Sequence, residues 1–145
     1  GPPQRLTDGS GEYGEPAWQQ GQRTYTMVSS GLVCVRAEQG FQRLQHIDLA
    51  SGRVRDLGGE TARYTTFAYP SGCGQRVAVT ASAPDLPPRL VLIDVDSGAV
   101  TVRARSLGET ISSDEYARPE PLSWPTTDGE VAYGLFYPPH SSRFA

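Results

Sequence analysis

The stretch Leu90–Val100, LVLIDVDSGAV, decides the fold. An apolar run meets an Asp, then a Gly-containing turn, then a second apolar run. This order reads as two antiparallel strands joined by a hairpin, since Gly tolerates the positive φ such turns need. An earlier copy, Leu44–Val54 (LQHIDLASGRV), turns one hairpin into a repeat. Leu44, Ile47, Asp48, Ser51, Gly52 and Val54 recur as Leu90, Ile93, Asp94, Ser97, Gly98 and Val100, an offset of 46 residues. The same offset pairs Val33 with Val79, Ala37 with Ala83 and Arg43 with Arg89. Strand-only repeats of ~40–50 residues are the mark of propeller blades.

Working outward, each copy resolves into four strand candidates. The first blade is expected at Gln22–Ser29, Leu32–Ala37, Arg43–Leu49 and Arg53–Leu57. The second is expected at Tyr64–Tyr69, Arg76–Ala81, Arg89–Val95 and Ala99–Ala104. Tyr, Phe, Thr, Val and Ile dominate these segments, as a pleated, half-buried surface favours. Gln4–Leu6 reads as the last strand of a preceding blade. The Pro-rich Ala83–Pro88, APDLPP, reads as a projecting loop, because Pro has no N–H to give a central strand. After Leu107 the repeat stops. Gly108–Ala117 is polar and acidic, with room for one helical turn opened by Ser112 or Ser113. Pro119, Pro121 and Pro125 hold the next part extended, Thr127–Glu130 makes a hairpin turn, and Glu130–Tyr137 alternates as a strand. The fold class is all-β: about two four-stranded antiparallel blades packed face to face, then a C-terminal linker and strand.

Composition narrows the function classes. Net charge is −3, with 13 Arg, no Lys and 16 acids. The Arg residues are interspersed with the acids, so no basic stripe for nucleic acid exists. No apolar run approaches the ~20 residues of a membrane span. The first residues, GPPQRLTDGSGEYGEP, carry neither the basic nor the apolar region of a signal peptide, which sets a cytoplasmic location as the expectation. Cys34 sits in an apolar run and reads as a small buried hydrophobe. Cys73 lies in the turn Pro70–Gly74 and is expected exposed, with no disulfide between the two.

His46 alternates within a strand and reads as a strand-surface histidine rather than a catalytic base. His140 reads as an exposed loop residue. The two His and two Cys lack any zinc-ligand spacing, so no metal and no cofactor are expected. Asp48 and Asp94, at equivalent hairpin positions, are expected to accept turn N–H groups rather than to bind calcium. Trp18 and Trp124 are expected to fill gaps between blades or at a domain boundary.

The order GEPAWQQGQRTYTMVSSG at 14–31, two blade units, then PEPLSWPTTDGEVAYGLFYPP at 119–139 resembles the bacterial prolyl oligopeptidase family, nearest its acylaminoacyl-peptidase and dipeptidyl-peptidase-like branch. Pro119, Glu120, Pro121, Trp124, Asp128, Gly129, Tyr137, Pro138 and Pro139 carry the resemblance to that family's junction between propeller and α/β-hydrolase domain. It implies blades over 1–107, and over 108–145 the interdomain linker and first strand of the hydrolase domain. It also implies interdomain contacts for Arg118, Glu120, Trp124 and Tyr137, with short peptides as substrates of the whole enzyme. The family's G-x-S-x-G nucleophile elbow does not occur in this sequence, so no catalytic residue is assigned and this segment alone is expected to be inactive. Gating of the active site is the expected role. The alternative from another class is a stand-alone propeller or sandwich module binding a protein or glycan. Uncovered blade faces lead to self-association as a further expectation.

Overall fold

The computed structural model describes residues 2–7, 11–108, 111–112 and 115–140. The described residues are all-β. The first sheet runs β1 (Tyr25–Val28), β2 (Gly31–Glu38), β3 (Phe41–Asp48) and β4 (Val54–Asp56). The second runs β5 (Thr66–Cys73), β6 (Arg76–Ala83), β7 (Leu86–Asp94) and β8 (Val100–Arg105), and a 3-10 turn at Gly59–Arg63 links the two. Both sheets are antiparallel meanders in chain order, the form of two successive propeller blades. β1 is shorter than Gln22–Ser29, and Gln4–Leu6 is in no strand, because none of its backbone groups finds a ladder among the described residues.

The turns follow from their residues. Gln39 and Gly40 both take positive φ, 52° and 83°, the two-residue turn whose twist suits a hairpin. In the longer β3–β4 turn, Asp48 Oδ1 accepts the N–H groups of Ala50 (3.0 Å) and Ser51 (2.8 Å), while Gly52 N–H reaches Asp48 O at 2.8 Å. The β7–β8 turn repeats the device. Asp94 Oδ1 accepts Ser97 N–H at 3.0 Å and Ser97 Oγ at 2.8 Å, and Gly98 N–H reaches Asp94 O at 2.8 Å. The two Asp residues are turn-fixing acceptors, as the repeat predicted.

APDLPP corrects one expectation. It is not a projecting loop: Pro84-Asp85 is a tight turn, and Pro87 and Pro88 lie inside β7, a central strand. The ladder slips there, from Ala81↔Arg89 to Ala83↔Leu86, so Ser82 faces both prolines across a bulge. A bulge relieves those residues of donating to the ladder, which is where Pro is tolerated in a sheet. Pro88 still contributes its carbonyl, accepting Ser106 N–H at 3.0 Å.

One core spans both blades. Val33, Val35 and Leu44 of the first meet Phe67, Val77, Val79, Val91 and Ile93 of the second. Cross-strand pairing defines the faces. Val33↔His46 and Val35↔Leu44 look toward the second blade, whereas Cys34↔Gln45 and Leu32↔Ile47 look away. In the second blade Val77↔Ile93 and Val79↔Val91 look back at the first, leaving Ala78↔Leu92 and Thr80↔Leu90 outward. Leu44 and Leu90 are therefore equivalent in position but opposite in burial, 1% and 42% exposed. The difference is that the second blade covers Leu44, and nothing among the described residues covers Leu90.

The remainder of the described chain is a hairpin, β9 (Glu120–Pro125) against β10 (Val131–Phe136), closed at Thr126–Glu130. The turn lies where the sequence put it, and the proline-held segment before it, expected to be extended, forms strand β9. Thr126 N–H to Glu130 O (2.9 Å) and the Thr126–Asp128 hydroxyl–carboxylate bond fix that turn. Of the segment read as a possible helical turn, residues 109–110 and 113–114 lie outside the described residues. Glu115 N–H reaches Ser112 O at 3.0 Å.

Candidate functional site

Two places gather polar side chains: the seam between the blades, and the end of the blades where the chain leaves for the β9–β10 hairpin.

At the seam the sheets touch through backbone. A Cβ on Gly72 would lie 2.0 Å from Met27 O, so β1 and β5 approach as closely as only Gly allows. Gly72 N–H donates to Thr26 Oγ1 (2.8 Å), and Ser29 N–H to Gly74 O (2.8 Å). Further out, Phe67 N–H donates to Gln42 Oε1 (2.6 Å) and Arg55 Nη2 to Val95 O (2.6 Å). Gln75 is the central clamp: its Oε1 accepts Ser30 N–H (2.9 Å), and its Nε2 donates to Ser30 Oγ (2.9 Å) and Asp96 Oδ1 (3.0 Å).

His46 belongs to this clamp and corrects a second expectation. It is 5% exposed, not a surface residue, because strand alternation points it at the second blade. Its Nε2 lies 2.9 Å from Ser30 Oγ. Burial, then the Arg55 guanidinium, lowers its pKa below the ordinary 6.5, against the opposing pull of Asp48 and Asp96. A neutral ring accepting the Ser30 hydroxyl satisfies the clamp. Among the described residues no carboxylate bonds its Nδ1, so the Ser30–His46 pair lacks the orienting acid of a nucleophilic triad. Ser30 and Gln75 went unseen in the sequence, because neither falls in a pattern that marks a seam.

Other titratable groups have structural explanations. The Ser51 and Ser97 backbone N–H groups hold Asp48 and Asp94 below the ordinary carboxylate value, and the Thr126 hydroxyl does the same for Asp128. Burial pushes the Cys34 thiol up to about 11. Cys34 is buried, Cys73 is exposed and both are free, as expected. His140 is exposed.

At the exit end, the Gln39-Gly40 and Pro84-Asp85 turns, the crossover carrying Arg63, and Arg118-Pro119 come together. Arg118 Nη2 lies 3.8 Å from Asp85 Oδ2, and the Leu135 side chain lies over Gly40. Arg118 thus turns toward the blade rather than pairing with Glu120, which is exposed in β9 opposite Phe136. Trp124 lies over Gly134, where a Cβ would meet its ring at 3.0 Å, yet it stays 49% exposed. Tyr137 is exposed just past β10. Trp18 is 83% exposed and fills no gap among the described residues, contrary to expectation; its N–H closes a tight turn onto Pro16 O at 3.0 Å. Arg43, Arg63 and Arg118, with Asp85, Phe41 and Pro84, line a cavity of about 540 Å³ at this end.

No protein-family model matches the sequence, and no curated protein does. Solved structures do match. A Mycobacterium tuberculosis puromycin-hydrolysing peptidase superposes with a TM-score of 0.83 at 27% identity, over 96% of this chain and 21% of that one. A puromycin hydrolase gives a TM-score of 0.83 at 24% identity over 98% of this chain and 21% of that one. A point mutant of puromycin hydrolase in complex with PGG gives 0.81 at 24% identity, over 97% and 21%. The chain spans about a fifth of the length of the structures it matches.

Proposed function

We propose, for a chain whose fold is that of a partial propeller from prolyl oligopeptidase-family peptidases, that it gates short peptides to a serine-hydrolase active site carried elsewhere in the same polypeptide. The observation that carries this reading is the likeness to the Mycobacterium tuberculosis peptidase, which takes in blades and hairpin together over 96% of the chain. On this reading residues 1–107 are propeller blades, and residues 108–145 lead into the hydrolase domain. Arg118, Glu120, Trp124 and Tyr137 then contact that domain, and the exposure of the last three suits burial by it.

The segment acts sterically. A clamped seam keeps adjacent blades from parting, so the opening past them stays narrow. Puromycin carries an aminoacyl amide, so an aminoacyl or acylaminoacyl amide of a short peptide is the substrate class that fits. Both cysteines are free, which suits a reducing cytoplasm.

The test is to express the longer gene product that contains this segment, label it with a fluorophosphonate serine-hydrolase probe, and assay peptides of graded length. Labelling, with cleavage falling steeply beyond a few residues, supports the reading. No labelling refutes the peptidase assignment. Labelling with no length dependence refutes the gating.

A further inference from the structure

The cavity at the exit end is lined by three guanidinium groups and one carboxylate, a local charge of +2 in a chain whose net charge is −3. Such a concentration favours an anion at the site, and among the described residues the protein's own anion there is loosely placed. Asp85 stands 3.8 Å from Arg118, a loose pair, and Arg118 is 78% exposed. Arg43 is held in place: its Nη1 donates to Gln42 O (2.9 Å) and Tyr64 O (3.4 Å), and its guanidinium sits 6.0 Å from the centre of the Phe41 ring. Both bonds use Nη1, so Nε and Nη2 remain as donors with a fixed base. Arg63 is set by the last turn of the Gly59–Arg63 helix. One anchored and two adjustable guanidiniums beside the apolar Phe41 and Pro84 suit a small anion with an apolar body.

We propose that this cavity binds the free carboxylate of a short peptide, with Arg43 as the fixed contact and Arg63 and Arg118 closing on the oxygens. The proposal deepens the peptidase reading and rests on it for the choice of a peptide as the carboxylate's bearer. It predicts that the propeller side selects peptides with a free C-terminus before they reach the chemistry.

The experiment is a calorimetric titration of the longer gene product that contains this segment, treated beforehand with the fluorophosphonate so that no peptide is cleaved, with alanyl-alanine, with its C-terminal amide, and with inorganic phosphate. Expected are saturable binding of the acid and at least tenfold weaker binding of the amide. Phosphate is expected to be the weaker anion, and Arg63→Gln/Arg118→Gln to weaken the acid at least tenfold without changing the circular dichroism spectrum. Equal binding of acid and amide, or no effect of the double variant, overturns the site. Phosphate binding tighter than the dipeptide overturns the peptide assignment. These results do not depend on hydrolysis, so failure of the fluorophosphonate labelling and failure of this titration are separate outcomes.

Discussion

The close approach at Gly72 makes the sharpest test of the two-blade seam. Gly72 does not use positive φ, so Ala is allowed by the backbone and its whole effect is steric. The new Cβ would sit 2.0 Å from Met27 O, a backbone atom that cannot swing aside. An ordinary contact begins at 3.4 Å, about 1.4 Å further, and a gap of that size along packed strands forfeits roughly half or more of the local dispersion well. Overpacking of this kind costs about 1–3 kcal/mol. Opening the seam also strains the 2.8 Å bond from Gly72 N–H to Thr26 Oγ1, worth about 1 kcal/mol. Gly72→Ala should therefore destabilise the chain by about 2–4 kcal/mol. With a urea m-value of about 2 kcal/mol/M, the midpoint falls by about 1–2 M. The control is Gly14→Ala, exposed with no atom within 4 Å and no positive φ, expected within about 0.5 kcal/mol of the parent. If Gly72→Ala unfolds at the same urea concentration as the control, the seam is not the packed interface described here.

Acidification should destabilise the chain in two windows. His46 has its folded pKa below 6.5, so the unfolded chain takes up the proton first. Stability is then full above about pH 6.5, falls as pH drops below it, and levels off once the folded ring protonates, a step that His46→Gln should remove from urea midpoints measured against pH. Asp48, Asp94 and Asp128, held below their ordinary 3.8, lose their contribution only as pH falls through about 4 and lower; Asp94→Asn should flatten part of that second window in the same measurements. In a thiol titration, Cys73 should react at once and Cys34 only on unfolding, and two fast thiols would contradict the burial of Cys34. The outward faces carrying Leu90 and, on the other blade, Tyr25 and Met27 should drive concentration-dependent self-association of the chain alone. Sedimentation velocity should show Leu90→Glu reducing it, and a monomer at all concentrations would show that these faces need no cover.

The hairpin turns were readable because each rests on a local rule: Asp accepts turn N–H groups and Gly supplies positive φ within a few residues. The alternation of β3 and β7 was readable for the same reason, and Ile47 and Ile93 are both buried as the 46-residue offset requires. The offset failed one strand earlier. Asp48 pairs with Gly31 but Asp94 with Arg76, so β2 and β6 are related by 45 residues. Val33 therefore corresponds to Ala78 and not to Val79, and Val79 looks toward the opposite neighbour. The β1–β2 and β5–β6 turns are both two residues long, so the extra residue lies in β7, at the bulge where Ser82 faces Pro87 and Pro88. That one residue reverses every side chain of β6 relative to β2, and it escaped because Pro excludes a regular ladder but not a slipped one. His46 and Gln75 show the wider limit: a strand histidine is on the surface or in a clamp according to what packs over it, and that is set 29 residues away. The same dependence applies to the outward Leu90. Its twin Leu44 is buried only because another blade follows, so the same residue type at the same repeat position is core or surface according to what packs over it.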